Sequence, residues 1–355
     1  MMDGQTFIIR EVDQGCLVSH QAFLNSLHKD HNMEYLFNIK TPFLMDDQAK
    51  ARANNLENNR RKRRKNHDVL KVDPINAKCK KVLEDLHALG LFSGEPTTED
   101  WIENNKSSRE KAKGLLSQAL SNYPMRDLIG INDSDEVTKL NDRYILPPNC
   151  GYYSCDIKDI KSNLDQRKFK MILMDPPWEN KHVKRHKNKI GGYHMLSNDD
   201  LIDKLPIPDL LEDGGIVAIW CTNSQRHLEA IECWLQKWNL VKKATWYWLK
   251  ITKYGQPITD WTHPHKKPYE QIIIATAKND LEIENDYVFV SVPSIIHSHK
   301  PPIFPLLQKQ GLISPEERHH EEKFLEIFGR YLLPNCTTYG NQCLLFQDTI
   351  FFNCK

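Results

Sequence analysis

Four consecutive residues, Asp175-Pro176-Pro177-Trp178, carry the groups with the clearest chemical use in this sequence. A carboxylate and a backbone carbonyl can both accept hydrogen bonds from an exocyclic amine, and the two prolines fix the direction of the Pro176 carbonyl. The Trp178 ring offers a flat face on which an extruded base can stack, a contact worth roughly 1–3 kcal/mol. The motif therefore suits chemistry on a nucleobase amine.

Adenine N6 is an amine that needs such help, because its lone pair is delocalised into the ring. Two acceptors draw it toward tetrahedral geometry and stabilise the positive charge that develops as a methyl group arrives from a sulfonium donor. No strong general base is required, and a base in a duplex must be flipped out to reach the pocket. The alternative is that Pro176-Pro177 only ends a strand and that Trp178 packs in the core.

Short apolar runs alternate with amphipathic segments after residue 143. We predict strands at Lys170–Met174, Gly215–Trp220, Ala244–Ile251, Gln271–Ala275 and Lys323–Phe328. Helical segments are predicted at Asp199–Leu205, Ile207–Leu211, His227–Trp238 and Phe304–Gln310. Such alternation is typical of a mostly parallel sheet covered on both faces, in which ligands bind beyond the carboxyl ends of the strands. The motif lies at such an end.

The part before residue 143 does not show this alternation of strands and helices. Thr6–Val12 and Cys16–Ser19 predict a hairpin within a small N-terminal region, 1–45. Residues 46–70 form a basic linker, predicted to be flexible, that contains Arg60–Lys65. A mainly helical region, 71–142, follows, with one helix between Asp73 and Gly90 and another at Ser107–Leu120. We assign 143–355 to the α/β domain.

Composition excludes several classes of protein. The net charge of +1 rules out a polycation, so nucleic-acid contacts must come from local patches. The 9 cysteines lack C-x-x-C spacing, and their odd number argues against a disulfide framework, which favours a reducing compartment. The sequence shows neither a secretory signal nor an apolar run near the length of a membrane span, so no membrane association is expected.

Asp175–Trp178 resembles the signature of the DPPW-type adenine-N6 methyltransferases, the family of the messenger-RNA N6-adenosine methylation subunit. The resemblance extends over about residues 143–347. It includes the further segments Cys155–Ile157, Tyr193, Ile219–Thr222, Glu270, Ser298–Pro301, Phe328–Arg330 and Gly340–Gln342. It implies a Rossmann-like class I methyltransferase fold in permuted, beta-class motif order, with an N-terminal mainly helical region added.

The resemblance also implies roles for individual residues. S-adenosylmethionine would be held by Asp156, Ile157, Asp175, Lys300, Arg330, Asn341 and Gln342. The adenine pocket would be formed by Asp175, Pro176, Pro177, Trp178, Tyr193, Trp220 and Glu270. The family's polar ribose contacts are replaced here by Tyr331-Leu332-Leu333, which leaves the ribose partners unassigned.

A basic segment between the motif and Tyr193 is expected to contact phosphate as a mobile gate, through Lys181, Lys184, Arg185, Lys187 and Lys189. A solvated loop is the alternative. The second basic run, Arg60–Lys65, is compatible with a nuclear-import signal, an RNA-contacting arm or a solvated charge run. The histidine pairs lack a third ligand at metal-binding spacing, and methyl transfer needs no metal, so no metal site is expected.

Asp175–Asn180 and the long basic insertion are most similar to the methyltransferase-like protein four subgroup. That subgroup is associated with an internal 2′-O-methyladenosine of U2 small nuclear RNA, and DNA adenine has also been proposed as its substrate. An RNA substrate and a nuclear, or additionally cytosolic, location are therefore expected. Two alternatives stay open, a DNA adenine-N6 methyltransferase and a catalytically silent RNA-binding subunit. The sequence does not decide between a monomer and a chain that needs a partner.

Overall fold

The computed structural model describes residues 7–28, 31, 33–43, 73–123, 127–178, 198–261, 266–278, 280–313 and 323–352. Within these residues an eleven-stranded sheet forms the centre of the molecule. Its strands are β1 (Ile8–Val12), β2 (Gly15–Val18), β3 (Leu128–Asn132), β6 (Cys150–Ser154), β7 (Phe169–Met174), β8 (Leu211–Cys221), β9 (Val241–Lys250), β10 (Tyr269–Thr276), β11 (Val288–Ser291), β12 (Phe324–Ile327) and β13 (Cys336–Tyr339). Two further strands, β4 (Thr138–Leu140) and β5 (Tyr144–Leu146), pair with each other.

The order of strands across the sheet is β1-β2-β11-β9-β10-β8-β7-β12-β13-β6-β3. The five strands β6, β13, β12, β7 and β8 run parallel to their neighbours in this central block. The predicted mostly parallel sheet and the Rossmann-like α/β class are therefore confirmed. Strands β12 and β13 come late in the chain but lie between β6 and β7 in the sheet. The motif strand, β7, therefore precedes its sheet neighbour β12 in the sequence.

Both faces of the sheet are buried, as the continuous apolar strands predicted. On β8, Ala218 and Trp220 pack into one core cluster, whereas Val217 and Ile219 pack into another on the opposite face. This alternation follows from the two-residue period of a strand.

The helices that cover the sheet are α1 (His20–Leu27), α2 (Pro74–Ala88), α3 (Thr98–Glu103), α4 (Lys106–Ser121), α5 (Ile160–Asn163), α6 (Asn198–Lys204), α7 (Ile207–Leu210), α8 (Gln225–Lys237) and α9 (Phe304–Lys309). The expected start of α2 is confirmed, since the Asp73 carboxylate accepts the backbone N–H of Ile75 at 3.1 Å. Trp234 on α8 and Trp238, which directly follows this helix, are both buried.

The predicted N-terminal hairpin is present as the antiparallel pair β1–β2. It belongs to the same sheet as the motif strand, because β2 pairs in parallel with β11. The mainly helical region also contains strands, since β3 pairs with β6 at the other edge of the sheet. These pairings join residues far apart in sequence, which local patterns do not reveal. The bounds of the proposed regions stay predictions, and the basic linker lies outside the described residues.

Strand β8 begins earlier than the predicted Gly215. Leu211 pairs with Phe169, and the register then shifts so that Met171 faces Ile216. Gly214, inside this irregularity, has a φ of +71°, a conformation that glycine adopts without the strain a Cβ would bring.

The topology brings one edge of the sheet together as a site. Parallel strands β6, β13, β12, β7 and β8 all end at this edge. Strand β10 runs antiparallel to β8, so it begins at the same edge, with Gln271 opposite Cys221. Strand β9 ends there, with Leu249 opposite Tyr269. Ligands bind beyond this edge in open α/β sheets.

Candidate active site

Asp175 follows the last residue of β7 and stays attached to the sheet. Its backbone N–H donates to the Ile327 carbonyl at 3.3 Å. Pro176 and Pro177 have no N–H, so the strand pairing cannot continue through them. The Pro176 carbonyl accepts the Trp178 N–H at 2.7 Å. Because a carbonyl oxygen has two lone pairs, one acceptor position remains for a substrate amine.

Trp178 is fixed by aromatic contacts with α8. Its ring stacks with that of His227 at a centroid distance of 4.7 Å and with that of Trp234 at 5.3 Å. Its indole N–H donates to the Trp220 carbonyl at 3.0 Å. The ring is thus partly used in packing, as in the alternative weighed from the sequence. Its stacking with a flipped base stays a prediction.

Four charged side chains of alternating sign form a continuous group, which we call the charged chain: Lys250, Glu270, Lys300 and Asp175. Glu270 forms ion pairs with both lysines. The Lys300 ammonium lies 3.7 Å from Asp175 Oδ1. The side chains of the four residues are 15–25% exposed, so the group borders solvent but is largely enclosed. Two of its members come from adjacent strands, and their positions follow from the strand register.

The charged chain changes the pKa values of its members. Burial alone would raise the pKa of Glu270, but the adjacent Lys250 and Lys300 outweigh it and hold this pKa well below its usual range. Burial raises the pKa of Asp175, and the Lys300 ammonium opposes that rise. For Lys300, the two carboxylates outweigh burial and raise the pKa. Both acids are thus held beside cations that favour their ionised forms.

Aromatic rings lie beneath the two ammonium groups. Lys300 Nζ is 4.7 Å from the centre of the Trp220 ring, and Lys250 Nζ is 4.4 Å from that of Trp248. These are cation–π distances. Trp220 is only 1% exposed, so in this structure its side chain supports Lys300. Its expected contact with adenine stays a prediction.

The backbone around Lys300 is held from behind. The Tyr331 hydroxyl donates to the Lys300 carbonyl at 2.7 Å. The His299 ring packs edge-on against Tyr331 at 4.8 Å and is buried. Ser298 has a φ of +69°, a left-handed conformation that is uncommon without glycine. Such conformations persist only where the surroundings impose them.

Five of the residues assigned to the cofactor follow the ends of β6, β12 and β13: Asp156, Ile157, Arg330, Asn341 and Gln342. Asp156 caps a short 3₁₀ turn, Ile157–Asp159, through a hydrogen bond from the Lys158 N–H at 3.1 Å. The Tyr339 hydroxyl donates to the Asp156 carbonyl at 3.0 Å. The structure therefore places Asp156 and Ile157 next to the strand that leads to Asn341 and Gln342.

Two glycines shape the backbone of this cofactor side. A Cβ on Gly329 would lie 2.6 Å from Thr338 Cγ2, which the packing does not allow. Gly340 has a φ of +154°, and a Cβ there would lie 3.2 Å from the Phe328 Cα. The turns that precede Arg330 and Asn341 therefore depend on glycine.

The residues present fit S-adenosylmethionine. Asn341 Oδ1 is buried without a hydrogen-bond partner among the described residues, although buried polar atoms are normally paired. An amide oxygen and the nearby Asp156 carboxylate suit the hydroxyl and amine donors of an adenosyl group, and the Lys300 ammonium suits a carboxylate. Tyr331, Leu332 and Leu333 are buried in the core, so their side chains are not placed to contact the ribose.

A cavity of about 210 Å³ opens beside the charged chain. It is lined on one side by Trp248, Lys250, Glu270 and Lys300. The other side comes from the N-terminal part of the chain and includes Phe43 and Arg109. Sequence reasoning missed this second side, because nothing in the local pattern links these residues to β9 or β10.

Two charged residues of the strands were also missed. Lys250 belongs to the charged chain, and only the strand register, which puts Glu270 opposite Trp248, could have pointed to it. Glu326 is buried on β12, and burial followed by the Asp175 charge raises its pKa to about 8. A lone Glu inside an apolar strand was the available signal, since unpaired acids are rarely buried.

Several predicted residues cannot be placed. Tyr193 and the basic segment with Lys181, Lys184, Arg185, Lys187 and Lys189 lie outside the described residues. Among the residues that are described, no group of three potential ligands could hold a metal ion. No helix in the described part of the chain combines the length and apolar character needed to cross a membrane.

Comparison with known proteins places the site in a family. Residues 169–342 match the family model MT-A70. A DNA N6-methyl methyltransferase of Caenorhabditis elegans is 29% identical over 372 residues, covering 95% of this chain and 97% of that protein. The human N(6)-adenine-specific methyltransferase METTL4 is 36% identical over 230 residues, 61% of this chain and 46% of the human protein. The N6-methyladenosine RNA methyltransferase MTA1 of Pyricularia oryzae is 35% identical over 220 residues, 58% and 56% respectively.

The chain thus spans about half the length of the human and fungal relatives and nearly all of the nematode one. The family match begins at Phe169, where β7 starts, and ends at Gln342. It contains the motif, the charged chain and the glycine turns of the cofactor side. The chain therefore carries an MT-A70 family domain, to which residues 169–342 match.

Proposed function

We propose that this chain transfers a methyl group from S-adenosylmethionine to the exocyclic N6 of an adenine in a nucleic acid. The observation that carries the proposal is the position of Asp175. Its carboxylate lies at the carboxyl end of β7, 3.7 Å from the Lys300 ammonium and next to a turn whose carbonyl can also accept a hydrogen bond. The family match and the activities for which the relatives are named support the same reaction class.

Each residue has a defined part in this reaction. The Asp175 carboxylate and the Pro176 carbonyl accept hydrogen bonds from the two N6–H groups. They thereby stabilise the positive charge that develops on the amine. S-adenosylmethionine supplies a methyl group on a sulfonium, which makes the carbon electrophilic. Lys300, Asp156, Asn341, Gln342 and Arg330 would hold the cofactor, with Ile157 as an apolar contact. The N6 ammonium then loses its proton to water, so the protein supplies alignment and electrostatics.

The finer proposal is that the substrate is RNA, and that an internal 2′-O-methyladenosine of U2 small nuclear RNA is its target. The similarity to the fungal enzyme, which is named as an RNA methyltransferase, supports an RNA substrate. The resemblance of Asp175–Asn180 to the methyltransferase-like protein four subgroup supports the U2 target. The basic run Arg60–Lys65 and the absence of paired-cysteine spacing support a nuclear location. Phosphate contacts from Lys181–Lys189 would add a salt-dependent, sequence-independent contribution to binding.

DNA adenine is the second candidate substrate. The nematode relative that aligns along 97% of its length is named as a DNA methyltransferase. Neither Asp175 nor Pro176 contacts a sugar in the proposed mechanism, so the motif accepts ribose and deoxyribose alike. A catalytically silent binding subunit is a weaker candidate, since Asp175 and Lys300 are both present and paired.

The test is methyl transfer from radiolabelled S-adenosylmethionine to three matched oligonucleotides that carry adenosine, 2′-O-methyladenosine or deoxyadenosine at one site. We expect transfer to all three to depend on Asp175, with 2′-O-methyladenosine the best substrate. A preference for deoxyadenosine would overturn the RNA proposal. If the protein showed no methyl transfer and, by calorimetry, no binding of S-adenosylmethionine, the silent-subunit alternative would be favoured.

A further inference from the structure

The cavity beside the charged chain has a wall built by the N-terminal part of the protein. Phe43, Ile39, Ser108 and Arg109 line it together with Lys250, Glu270 and Lys300. The family match begins only at residue 169, so this wall lies outside the matched segment. A cavity shared between the charged chain and a separate region invites the question of what part of the substrate it receives.

The wall is held in place by backbone hydrogen bonds to the loops of the methyltransferase domain. The Phe43 N–H donates to the Ile258 carbonyl at 2.8 Å, and the Lys253 N–H donates to the Ile39 carbonyl at 2.9 Å. Backbone bonds of this kind cannot be broken without leaving buried donors and acceptors unpaired. Phe43 is therefore a fixed part of the cavity.

A second set of contacts fixes the start of α4 against the same segment. Asn105 is 2% exposed, and its Nδ2 donates to the Thr41 carbonyl at 2.7 Å. Its Oδ1 accepts the Lys40 N–H at 3.0 Å. The Lys40 ammonium also pairs with Asp100 at 2.7 Å. Arg109, one turn further along α4, is thereby positioned at the rim of the cavity.

Arg109 keeps free donor capacity in this position. Its side chain is exposed, Nη2 donates to the Asn104 carbonyl at 3.1 Å, and Nε donates to the Asn105 carbonyl at 3.4 Å. A guanidinium has five N–H donors, so most remain available for a planar anion such as phosphate. Three cationic side chains, Arg109, Lys250 and Lys300, line the cavity together with one acid, Glu270. Lys250 and Lys300 are paired with Glu270 and Asp175, so the positive charge left for a negatively charged ligand is that of Arg109.

We propose that this cavity receives the sugar and an adjoining phosphate of the target nucleotide, with Arg109 on the phosphate and Phe43 against the sugar. The inference rests on the proposed function, because the charged chain fixes where the adenine lies. It adds a substrate contact from a region outside the family domain. An apolar face beside a cation matches the two chemically different parts of a nucleotide backbone.

The experiment measures binding of a fluorescein-labelled single-stranded oligoribonucleotide with one adenosine to the full chain, by anisotropy at several salt concentrations. Arg109→Gln is compared with Arg10→Gln, which removes an exposed arginine on β1 that does not line the cavity. For Arg109→Gln we expect Kd to rise about tenfold and the salt slope to fall by roughly 0.7. Arg109→Lys should keep the salt slope, because it keeps the charge.

Phe43→Ala should weaken binding with no change in the salt slope, which separates an apolar contact from a charge contact. Equal Kd values and salt slopes for Arg109→Gln and Arg10→Gln would overturn the proposal. So would an Arg109→Lys variant that behaves like Arg109→Gln, since that would mean a structural role. Binding that depends on Arg109 without any methyl transfer would contradict the proposed function and leave the cavity assignment standing.

Discussion

The substrate side and the cofactor side of the site differ in how far their polar groups are satisfied within the chain. On the substrate side, Lys250, Glu270, Lys300 and Asp175 neutralise one another in a continuous series. On the cofactor side, Asn341 Oδ1 is buried and has no partner among the described residues. The first arrangement is preorganised for charge that develops during reaction, whereas the second is completed by a ligand.

The largest effect is expected from neutralising the acid of the motif. Asp175→Asn keeps the shape of the side chain but removes the charge that stabilises the developing ammonium. We expect the rate of transfer at saturating S-adenosylmethionine to fall at least about 100-fold. Single-turnover kinetics with labelled cofactor measure this rate. A fall of less than a few-fold would mean that the charged chain does not serve catalysis.

Removing the charge of Glu270, at the centre of the charged chain, should destabilise the fold. Glu270→Gln leaves Lys250 and Lys300 beside each other without a shared counter-charge. Because the Glu270 side chain is 25% exposed, solvent screens part of this loss, and we expect the free energy of unfolding to fall by about 2 kcal/mol. Denaturant unfolding checks this value, and Glu229→Gln on the surface of α8 is the control.

Glu270 also makes the free energy of unfolding depend on pH. The pKa of Glu270 lies well below its usual range in the folded chain, so its contribution is complete above the unfolded pKa of about 4.3 and is lost as pH falls through the folded value. Wild-type protein should therefore lose more unfolding free energy below about pH 4 than Glu270→Gln does. If the free energy of unfolding fell equally in both proteins as the pH was lowered, the ion pairing described here would be contradicted.

On the cofactor side, loss of a polar group should weaken ligand binding and leave stability nearly unchanged. Asn341→Ala removes an oxygen that has no hydrogen-bond partner within the described part of the chain, so we expect the unfolding free energy to change by less than about 1 kcal/mol. The Kd for S-adenosylmethionine should rise about tenfold, because a buried hydrogen bond to the ligand is lost. Calorimetry and denaturant unfolding measure the two quantities.

A matched asparagine offers the control for that experiment. Asn132 is buried, and its Nδ2 donates to the Pro147 carbonyl at 2.8 Å and to the Glu136 carbonyl at 3.0 Å. Asn132→Ala should lower the unfolding free energy by roughly 1–3 kcal/mol and leave cofactor affinity unchanged. If both variants lost stability equally, the contrast between a satisfied and an unsatisfied site would be wrong.

The smallest effect is expected at Trp178. Trp178→Phe keeps an aromatic ring for stacking with His227 and Trp234 but loses the hydrogen bond to the Trp220 carbonyl. We expect the free energy of unfolding to fall by about 1 kcal/mol and transfer to slow only a few-fold. A loss of transfer as large as that of Asp175→Asn would show that the indole itself has a direct part in catalysis.

The sequence predicted those parts of the molecule whose signal is local. The apolar run before Asp175 marked β7, and the Asp73 cap marked the start of α2. Long-range pairing was not predictable in the same way. Lys250 joins Glu270 only through the register of β9 and β10, and the N-terminal hairpin joins the sheet through β11. Phe43 reaches the cavity through one backbone hydrogen bond to a residue more than 200 positions away.

The central claim is that the exocyclic amine of adenine receives the methyl group. It is tested most directly with two oligonucleotides that differ at one base, adenine in one and purine, which lacks the amine, in the other. Labelled S-adenosylmethionine should transfer its methyl group to the adenine oligonucleotide and not to the purine one. Equal labelling of both would place the methyl group elsewhere on the nucleic acid and contradict the role given to Asp175.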